Sequence, residues 1–403
     1  MKSPVSFLLR WASRPSPRRF FAPFAQKAAV GLFLILLPHA QAITASDADS
    51  AFDAFNAAFL VQKRGATYYK HKLDSENETK FKDYFWRQAL EIQMAEDVYL
   101  RSQNPEHKRL INGLLKTFIE QNGESWFWND YQDDLAWAVL AFARGYLATG
   151  NPAYRKLAKT HFDFAYERGH DDTFGGGLWW DVKKEGKFGL SNNPIVIAAC
   201  YLHEITGDKE YLEKAKATYA WHREKLYNPE TGACYEKILA DGTLIKDATV
   251  YNMGAFVEAA SRLYLITKEP LYFEDAKRTV DFVRNRRTEK GIMSSGHKDG
   301  TWASEFARGL GVFVRNNNLW EEYDPWIQQN AEAAWNTRRL DKNLSGNKWV
   351  QPTPEDPEMM ALECVSAVVM LQIAAEHLPS PAPDADLSPK TPSPSPPSPT
   401  PEP

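Results

Sequence analysis

The chain has 403 residues, of which 43% are apolar and 25% are charged, and its formal net charge is −4. These are the values of an ordinary globular protein, and they exclude a largely disordered or fibrous one. The near-neutral charge gives no indication of a nucleic-acid partner. Aromatic residues are unusually frequent at 13%; they suit stacking on sugar rings, although Trp and Phe more often fill a core.

Residues 1–42 have the pattern of a secretory signal segment. Several basic residues come first, an apolar run spans residues 28–37, and Ala40-Gln41-Ala42 offers an A-x-A cleavage site. The apolar run is too short for a comfortable membrane span. We therefore expect cleavage after Ala42, no transmembrane span in the mature chain, and a secreted, periplasmic or cell-surface location. An uncleaved anchor is the alternative.

Most of residues 43–378 carries the apolar spacing of amphipathic helices, at i, i+3 and i+4. Two short Gly-bounded segments, 175–182 and 234–246, are more typical of strands. The predicted helices span residues 48–70, 79–101, 106–121, 132–149, 151–168, 192–206, 209–226, 251–266, 270–287, 302–316, 322–338 and 357–377.

An internal repeat organises these helices. Three similar segments begin at Thr149, Thr206 and Thr267, and each continues to a Tyr and then to Ala-Lys; the tyrosines lie 57 and 61 residues apart. A repeat of this size is one helical hairpin, and such hairpins stack or close into a ring. Twelve helices in six hairpins predict an all-α fold, an (α/α)6 toroid, with an open solenoid as the alternative.

The repeat also predicts where a site lies. The positions 16 residues before the three threonines are Asp133, Leu190 and Tyr251, so Asp133-Asp134, Ser191-Asn192 and Tyr251-Asn252 stand at the heads of equivalent helices. In a closed ring these heads gather at one end, where polar side chains form a pocket. The competing interpretation is that these residues only cap their helices.

The adjacent carboxylates Asp133 and Asp134 lie in an aromatic segment, residues 125–137. Two close carboxylates repel each other when both are ionised, which raises the pKa of one. The protonated residue can then be a general acid while its ionised neighbour is a nucleophile, as in a retaining glycosidase. Asp-Asp pairs also occur in helix caps and metal sites, so the pair alone does not decide between these functions.

Several motifs resemble glycoside hydrolase family 76, the α-1,6-mannanases of bacteria and fungi. They are Tyr131-Gln132-Asp133-Asp134-Leu135-Ala136-Trp137, the Gly-Gly-Gly-x-x-Trp loop at residues 175–180, the segment ending Leu190-Ser191-Asn192, Tyr251-Asn252-Met253-Gly254 and, faintly, Phe306-Ala307-Arg308-Gly309. The resemblance runs from about residue 50 to residue 378. It implies an endo-acting, retaining hydrolase of α-1,6-linked mannose backbones.

By this resemblance, Asp133 is the nucleophile and Asp134 the general acid/base, and neither a metal nor another cofactor is required. Trp179, Trp180 and Trp302 are candidates for stacking on sugar, whereas we assign Trp137 and Trp221 to packing. The full set of candidate substrate-binding residues is Trp128, Tyr131, Trp179, Trp180, Asn192, Tyr251, Asn252, Trp302 and Phe306. The partner implied is an α-mannan or other mannose-rich polysaccharide. A ring of this size has a self-sufficient core, so we expect a monomer.

The sequence departs from the family pattern at Val250, Met253 and Asn193-Pro194, which are candidates for the pocket lining. Rival functions are a mannoside transglycosidase and a mannan-binding relative without turnover. An (α/α)6 epimerase or isomerase is a further rival, but such enzymes work through histidines, and the predicted helix heads carry none.

Residues 379–403 hold eleven of the chain's 25 prolines together with Ser and Thr, so we expect an extended, disordered tail. The cysteines are Cys200, Cys234 and Cys364, an odd number without a C-x-x-C pair. We predict buried thiols and neither a disulfide framework nor a zinc site. The predicted organisation is therefore a signal segment (1–42), a toroidal hydrolase domain (43–378) and the tail.

Overall fold

The computed structural model describes residues 42–74, 83–293 and 302–377, so residues 1–41 of the predicted signal segment and the whole predicted tail lie outside the described residues. The described part contains seven short strands in three small antiparallel sheets: β1 (Leu60–Lys63) with β2 (Ala66–Tyr69), β3 (Gly186–Phe188) with β4 (Lys237–Leu239) and β5 (Leu244–Ile245), and β6 (Thr288–Glu289) with β7 (Ile292–Met293). Its twelve helices are α1 (Ala45–Phe59), α2 (Phe85–Ser102), α3 (Pro105–Asn122), α4 (Gln132–Thr149), α5 (Pro152–Gly169), α6 (Gly189–Thr206), α7 (Lys209–Lys225), α8 (Val250–Thr267), α9 (Pro270–Arg286), α10 (Trp302–Asn317), α11 (Trp320–Asn336) and α12 (Ala361–Glu376).

The even-numbered helices form a closed inner ring. Each packs against the next from α2 to α12, and α12 packs back against α2. The odd-numbered helices lie outside this ring, and each packs against an inner neighbour. Inner helices such as α12 are buried on every side, whereas outer helices such as α7 bury one face. The predicted (α/α)6 toroid is therefore confirmed.

Glycines allow the closest helix contact in the inner ring, between α8 and α10. A Cβ at Gly254 would lie 2.3 Å from the backbone nitrogen of Phe306, and a Cβ at Gly309 would lie 2.3 Å from the carbonyl oxygen of Gly254. The two backbones can approach this closely only because neither position carries a side chain.

The repeated threonines play the same part at the ends of three inner helices. The Oγ1 atoms of Thr149, Thr206 and Thr267 each donate to the carbonyl four residues earlier, at 2.6–2.8 Å. Each Oγ1 also accepts from the backbone N–H two residues later, at 3.2 Å. The threonine thus closes the inner helix and fixes the turn into the outer one, which explains why the repeat begins there.

The prediction of one helix over residues 48–70 is wrong in its second half. The chain leaves α1 at Phe59 and forms the hairpin β1–β2, whose two-residue turn at Arg64 and Gly65 has positive φ at both positions. Such a turn matches the twist of the two strands. Val61 and Tyr68, paired across this hairpin, have the β-branched and aromatic side chains that favour strands.

The prediction of a strand over residues 175–182 is also wrong. The segment begins at the end of a single 3-10 turn, Thr173–Gly175, and continues as a loop with isolated bridges from Leu178 to His170 and from Asp181 to Tyr131. Residues 174–177 all have positive φ, which no regular strand contains. In the other predicted region, 234–246, the strands are β4 and β5.

The three cysteines are free and buried, as predicted. Within the described residues, no helix is both long enough and apolar enough to cross a membrane.

Candidate active site

A cleft of about 290 Å³ lies at the N-terminal ends of the inner helices. Five of the six inner helices contribute side chains to it, and the loop before α4 and the loop after α5 contribute one residue each. Its lining residues are Trp86, Leu90, Tyr131, Asp133, Asp134, Trp137, Trp180, Leu190, Tyr251 and Glu305.

The positions that the repeat predicts to be equivalent meet in this cleft. Asp133, Leu190 and Tyr251 are each the second residue of their helix, in α4, α6 and α8. All three line the cleft. The repeat therefore brings Asp133, Leu190 and Tyr251 to one end of the ring, where they share a cleft.

The Asp pair lies in the first turn of α4, where free backbone N–H groups favour negative charge. Asp133 Oδ1 accepts from the backbone N–H of Asp134 at 3.0 Å, and its Oδ2 accepts from Trp180 Nε1 at 3.0 Å. Asp134 Oδ2 accepts from Asn129 Nδ2 at 3.0 Å. Each carboxylate is thus held by a different side chain from a different loop.

Burial raises the pKa of both carboxyl groups. It raises the pKa of Asp133 to about 8, with the charge of Asp134 as the second cause, while the hydrogen bond from Trp180 opposes the rise. Burial also raises the pKa of Asp134, to about 6, against the hydrogen bond from Asn129. The pair therefore keeps one proton up to a much higher pH than two ordinary Asp residues would. One proton on two carboxylates is the state that acid/nucleophile chemistry needs.

Two backbone hydrogen bonds and two aromatic neighbours fix the position of Trp180. Its backbone carbonyl accepts from the N–H of Gln132 at 2.8 Å, and its own N–H donates to the carbonyl of Gly186 at 2.9 Å. Its ring stacks on Phe188 at 4.8 Å and 15°, and Tyr131 lies 4.9 Å away. Because the ring cannot turn freely, its N–H stays directed at Asp133.

The loop before Trp180 is organised by a buried ammonium group. Lys187 Nζ donates to the carbonyls of Asp171, Thr173, Gly176 and Gly177 and to the Asp171 carboxylate, at 2.7–3.0 Å. Burial lowers the pKa of Lys187, although the Asp171 carboxylate opposes this. Burial tends to raise the pKa of Asp171 itself, but its hydrogen bonds from Lys187, Lys184 and Trp179 keep that pKa well below its usual range. Lys187 thus donates hydrogen bonds to four carbonyl oxygens that would otherwise repel one another.

Gly177 is required where this loop crosses Trp221. Its φ is +74°, and a Cβ there would lie 2.4 Å from the Trp221 ring. Trp221 also donates to the carbonyl of Phe174 at 3.2 Å, so its assignment to packing agrees with the structure. The glycines therefore let the loop pack on this ring, and they lie outside the cleft.

The structure brings together five of the predicted site residues: Asp133, Asp134, Tyr131, Trp180 and Tyr251. Burial raises the pKa of Tyr251 to about 12, so it is a neutral hydroxyl group at physiological pH.

Other predicted substrate-binding residues lie outside the cleft lining. Asn192 is fully buried and bonds to both backbone groups of Leu178, and its amide also donates to the Phe188 carbonyl. The buried Asn252 donates to the carbonyl of Tyr235 and accepts from Asn193 at 3.0 Å. These two amides hold loops together. In the sequence, an Asn at a helix head that binds a loop looks the same as one that binds sugar.

The aromatic candidates outside the cleft have other surroundings. Trp179 is 5% exposed and donates to Asp171 at 2.7 Å, and Phe306 is fully buried. Trp128 is 57% exposed and touches Phe85 edge-on at 5.4 Å. The side chain of Trp302 lies outside the described residues.

The residues at which the sequence departs from the family pattern do not line the cleft. Met253 and Asn193-Pro194 are buried in the helix packing, and Val250 is partly exposed at the start of α8. None of these departures therefore forms part of the cleft wall beside the Asp pair.

Sequence reasoning missed four lining residues, and it assigned Trp137 to packing although this ring forms part of the cleft wall. Trp137 follows Asp133 by one helical turn, so its spacing placed it on the same face. Leu190 was identified as an equivalent position but not as a site residue. Trp86 and Leu90 on α2 and Glu305 on α10 belong to helices outside the three aligned repeats, which gave no register for them.

Among the described residues, no group of three or more His, Cys, Asp or Glu side chains is arranged to hold a metal ion. The cleft is lined by the carboxylates of Asp133, Asp134 and Glu305 and by the hydroxyl groups of Tyr131 and Tyr251. The arrangement can place a proton donor and a nucleophile beside one bound ring.

Comparison with known proteins gives a consistent picture. The model of glycosyl hydrolase family 76 matches residues 54–382. The GH76A alpha-1,6-mannanase from Salegentibacter sp. HEL1_6 is 24% identical, with a TM-score of 0.74 over 82% of this chain and 98% of that one. The Lin0763 protein from Listeria innocua is 25% identical, also with a TM-score of 0.74, over 82% of this chain and 96% of that one.

A third similar structure is an inactive variant of the Salegentibacter enzyme, with two neighbouring aspartates replaced by asparagine, in complex with alpha-1,6-mannotriose; its identity, coverage and TM-score equal those of the unaltered enzyme. At this identity the likeness shows a shared fold. None of the curated proteins matches the chain.

Proposed function

Because the chain belongs to glycosyl hydrolase family 76, we propose that it is an exported endo-α-1,6-mannanase that hydrolyses α-1,6-linked mannose backbones with retention of configuration. The observation that carries this proposal is the pair of the buried Asp133 and the half-buried Asp134 in the cleft, with one proton retained by the pair. The inactive Salegentibacter variant, altered at two neighbouring aspartates and bound to alpha-1,6-mannotriose, supports both the residues and the substrate.

In the first step, Asp134 donates its proton to the glycosidic oxygen while the Asp133 carboxylate attacks the anomeric carbon. The bond from that carbon to the glycosidic oxygen breaks, and an ester to Asp133 forms. In the second step, the Asp134 carboxylate removes a proton from water, whose oxygen attacks the same carbon and releases Asp133. Two inversions give net retention.

The proton must be on Asp134 when the substrate reacts. Burial raises the pKa of both carboxylates, so in the empty cleft the pair retains one proton. A glycosidic oxygen that accepts from Asp134 favours the protonated form of that residue. At Asp133, the hydrogen bonds from Trp180 and from the Asp134 amide favour the charged form. Substrate binding therefore places the retained proton on Asp134 and leaves Asp133 ionised.

The cleft walls fit a sugar ring. Trp86, Trp137 and Leu190 offer apolar surface to the C–H face of the ring, and Tyr131 and Tyr251 offer hydroxyl groups. This combination suits a neutral carbohydrate. The proposed partner is accordingly an α-mannan, and the predicted export would place the enzyme where such polysaccharides occur.

The test is a product assay on debranched α-1,6-mannan, with and without added acceptor sugars. The wild-type protein is expected to release oligomannosides, and Asp133→Asn and Asp134→Asn are each expected to lose activity by several orders of magnitude. Asp130→Asn is the matched control, because Asp130 is an exposed carboxylate in the same segment, outside the cleft lining. Release of no product, with or without acceptors, would refute the proposal; transfer products alone would indicate a transglycosidase.

A further inference from the structure

A third carboxylate, Glu305, lies in the cleft wall and has no part in the mechanism above. It is in the first turn of α10, 4% exposed, and lines the same cleft as Asp133 and Asp134. A carboxylate buried to this extent needs a partner or a role, because burial away from water is costly.

One of its two oxygens is held by the protein. Glu305 Oε1 accepts from Arg308 Nη1 at 2.9 Å and from Ser304 Oγ at 3.4 Å. Its Oε2 accepts no hydrogen bond from any residue within the described ranges. The carboxylate is therefore fixed by one oxygen, and the other is available to a molecule in the cleft.

Arg308 is fixed in turn by a buried charge network. It donates to both oxygens of Asp97 at 2.7–3.2 Å, and Asp97 also accepts from Arg144. Glu96 approaches Arg144 to 3.4 Å, and burial raises the pKa of this carboxyl group well above its usual range. Arg308 thus contacts the carboxylates of both Asp97 and Glu305, and Arg144 contacts Asp97 as well. Burial raises the pKa of Glu305, whereas the charge and the hydrogen bond of Arg308 oppose that rise and favour the ionised carboxylate.

We infer that Glu305 binds hydroxyl groups of the sugar residue that occupies the cleft beside the Asp pair. This inference rests on the proposed function. At about 290 Å³ the cleft is at the small end of ligand sites, so one ring beside Asp133 also meets Glu305. The apolar walls leave sugar hydroxyls few acceptors, and a carboxylate accepts them in charge-assisted hydrogen bonds. Glu305 thereby selects for a sugar with hydroxyls on that side of the ring.

Calorimetric binding of α-1,6-mannotriose to the Asp133→Asn/Asp134→Asn double variant tests this inference without turnover. Adding Glu305→Gln should weaken binding about tenfold or more. In the Gln variant the amide oxygen must face Arg308, so an NH₂ donor replaces the acceptor in the cleft. Glu305→Asp keeps the charge beside Arg308 but withdraws it by one methylene, and it should also weaken binding.

The matched control is Glu96→Gln. Glu96 is equally buried in the same network, but it lines a separate cavity of about 260 Å³ towards the C-terminal ends of α2 and α4. It should leave the dissociation constant unchanged. Binding that is unaffected by both changes at Glu305, or weakened equally by Glu96→Gln, would overturn the inference. If the parent double variant binds no mannotriose, the proposed function fails and the inference fails with it.

Discussion

Replacing Trp180 with Phe removes one hydrogen-bond donor from the Asp pair and leaves an aromatic ring in place. The indole N–H donates to Asp133 Oδ2 at 3.0 Å, and the ring stacks on Phe188. Phe preserves much of this stacking and cannot donate. The substitution therefore changes the electrostatics of Asp133 more than the shape of the cleft.

The size of the effect follows from the charge on the acceptor. A hydrogen bond to a charged group contributes about 1.5–3 kcal/mol, and about 1.4 kcal/mol corresponds to one pH unit. Loss of the bond should raise the pKa of Asp133, already about 8, by roughly one to two units. The reactive form, with Asp133 ionised and Asp134 protonated, becomes rarer by about 10- to 100-fold because the proton stays on Asp133.

The assay is kcat/KM on a soluble α-1,6-mannooligosaccharide between pH 4 and pH 10, since this parameter reports the free enzyme. In Trp180→Phe the alkaline limb of the kcat/KM profile should move to higher pH, and the maximum of kcat/KM should fall by about 10- to 100-fold. Trp179→Phe is the control, because its indole N–H donates to Asp171 and not to the pair. An alkaline limb that stays in place, or moves to lower pH, would refute the reasoning.

Two further predictions concern stability. Lys187→Met leaves four carbonyls and the Asp171 carboxylate without their buried donor, so the free energy of unfolding in urea should fall by roughly 3–5 kcal/mol. The control is Lys184→Met at an exposed position, which should lower it by less than about 1 kcal/mol. Equal losses in the two variants would contradict the role given to Lys187. Gly254→Ala places a Cβ 2.3 Å from the Phe306 nitrogen and should cost about 1–3 kcal/mol or more; an unchanged melting temperature would show that α8 and α10 can separate freely.

The ring could be predicted because its parts repeat. Thr149, Thr206 and Thr267 end equivalent helices, so counting back from them reached Asp133, Leu190 and Tyr251 at one cleft. Periodicity carries this information because every hairpin must bury the same face. Glu305 lies in a hairpin without a matching threonine, so only the folded ring brings it to the pair.

Side-chain roles at the helix heads could not be predicted. Asn192 and Asn252 share the helix-head region with Tyr251, yet the two amides turn into the protein and bond to loop backbone, while Tyr251 faces the cleft. Neighbouring helix residues point about 100° apart, so only the packed helix decides which of them reaches the pocket. Trp179 and Trp180 differ in the same way, since they point to opposite sides of one loop.

The central claim is that the Asp133–Asp134 pair cleaves α-1,6-mannan through an ester to the enzyme. Proton NMR of the first products of α-1,6-mannan hydrolysis tests this claim most directly, if spectra are taken before the reducing ends mutarotate. The account predicts that new reducing ends appear first as the α anomer and that Asp133→Asn and Asp134→Asn abolish their appearance. New ends that appear first as the β anomer, or activity that survives in either variant, would contradict it.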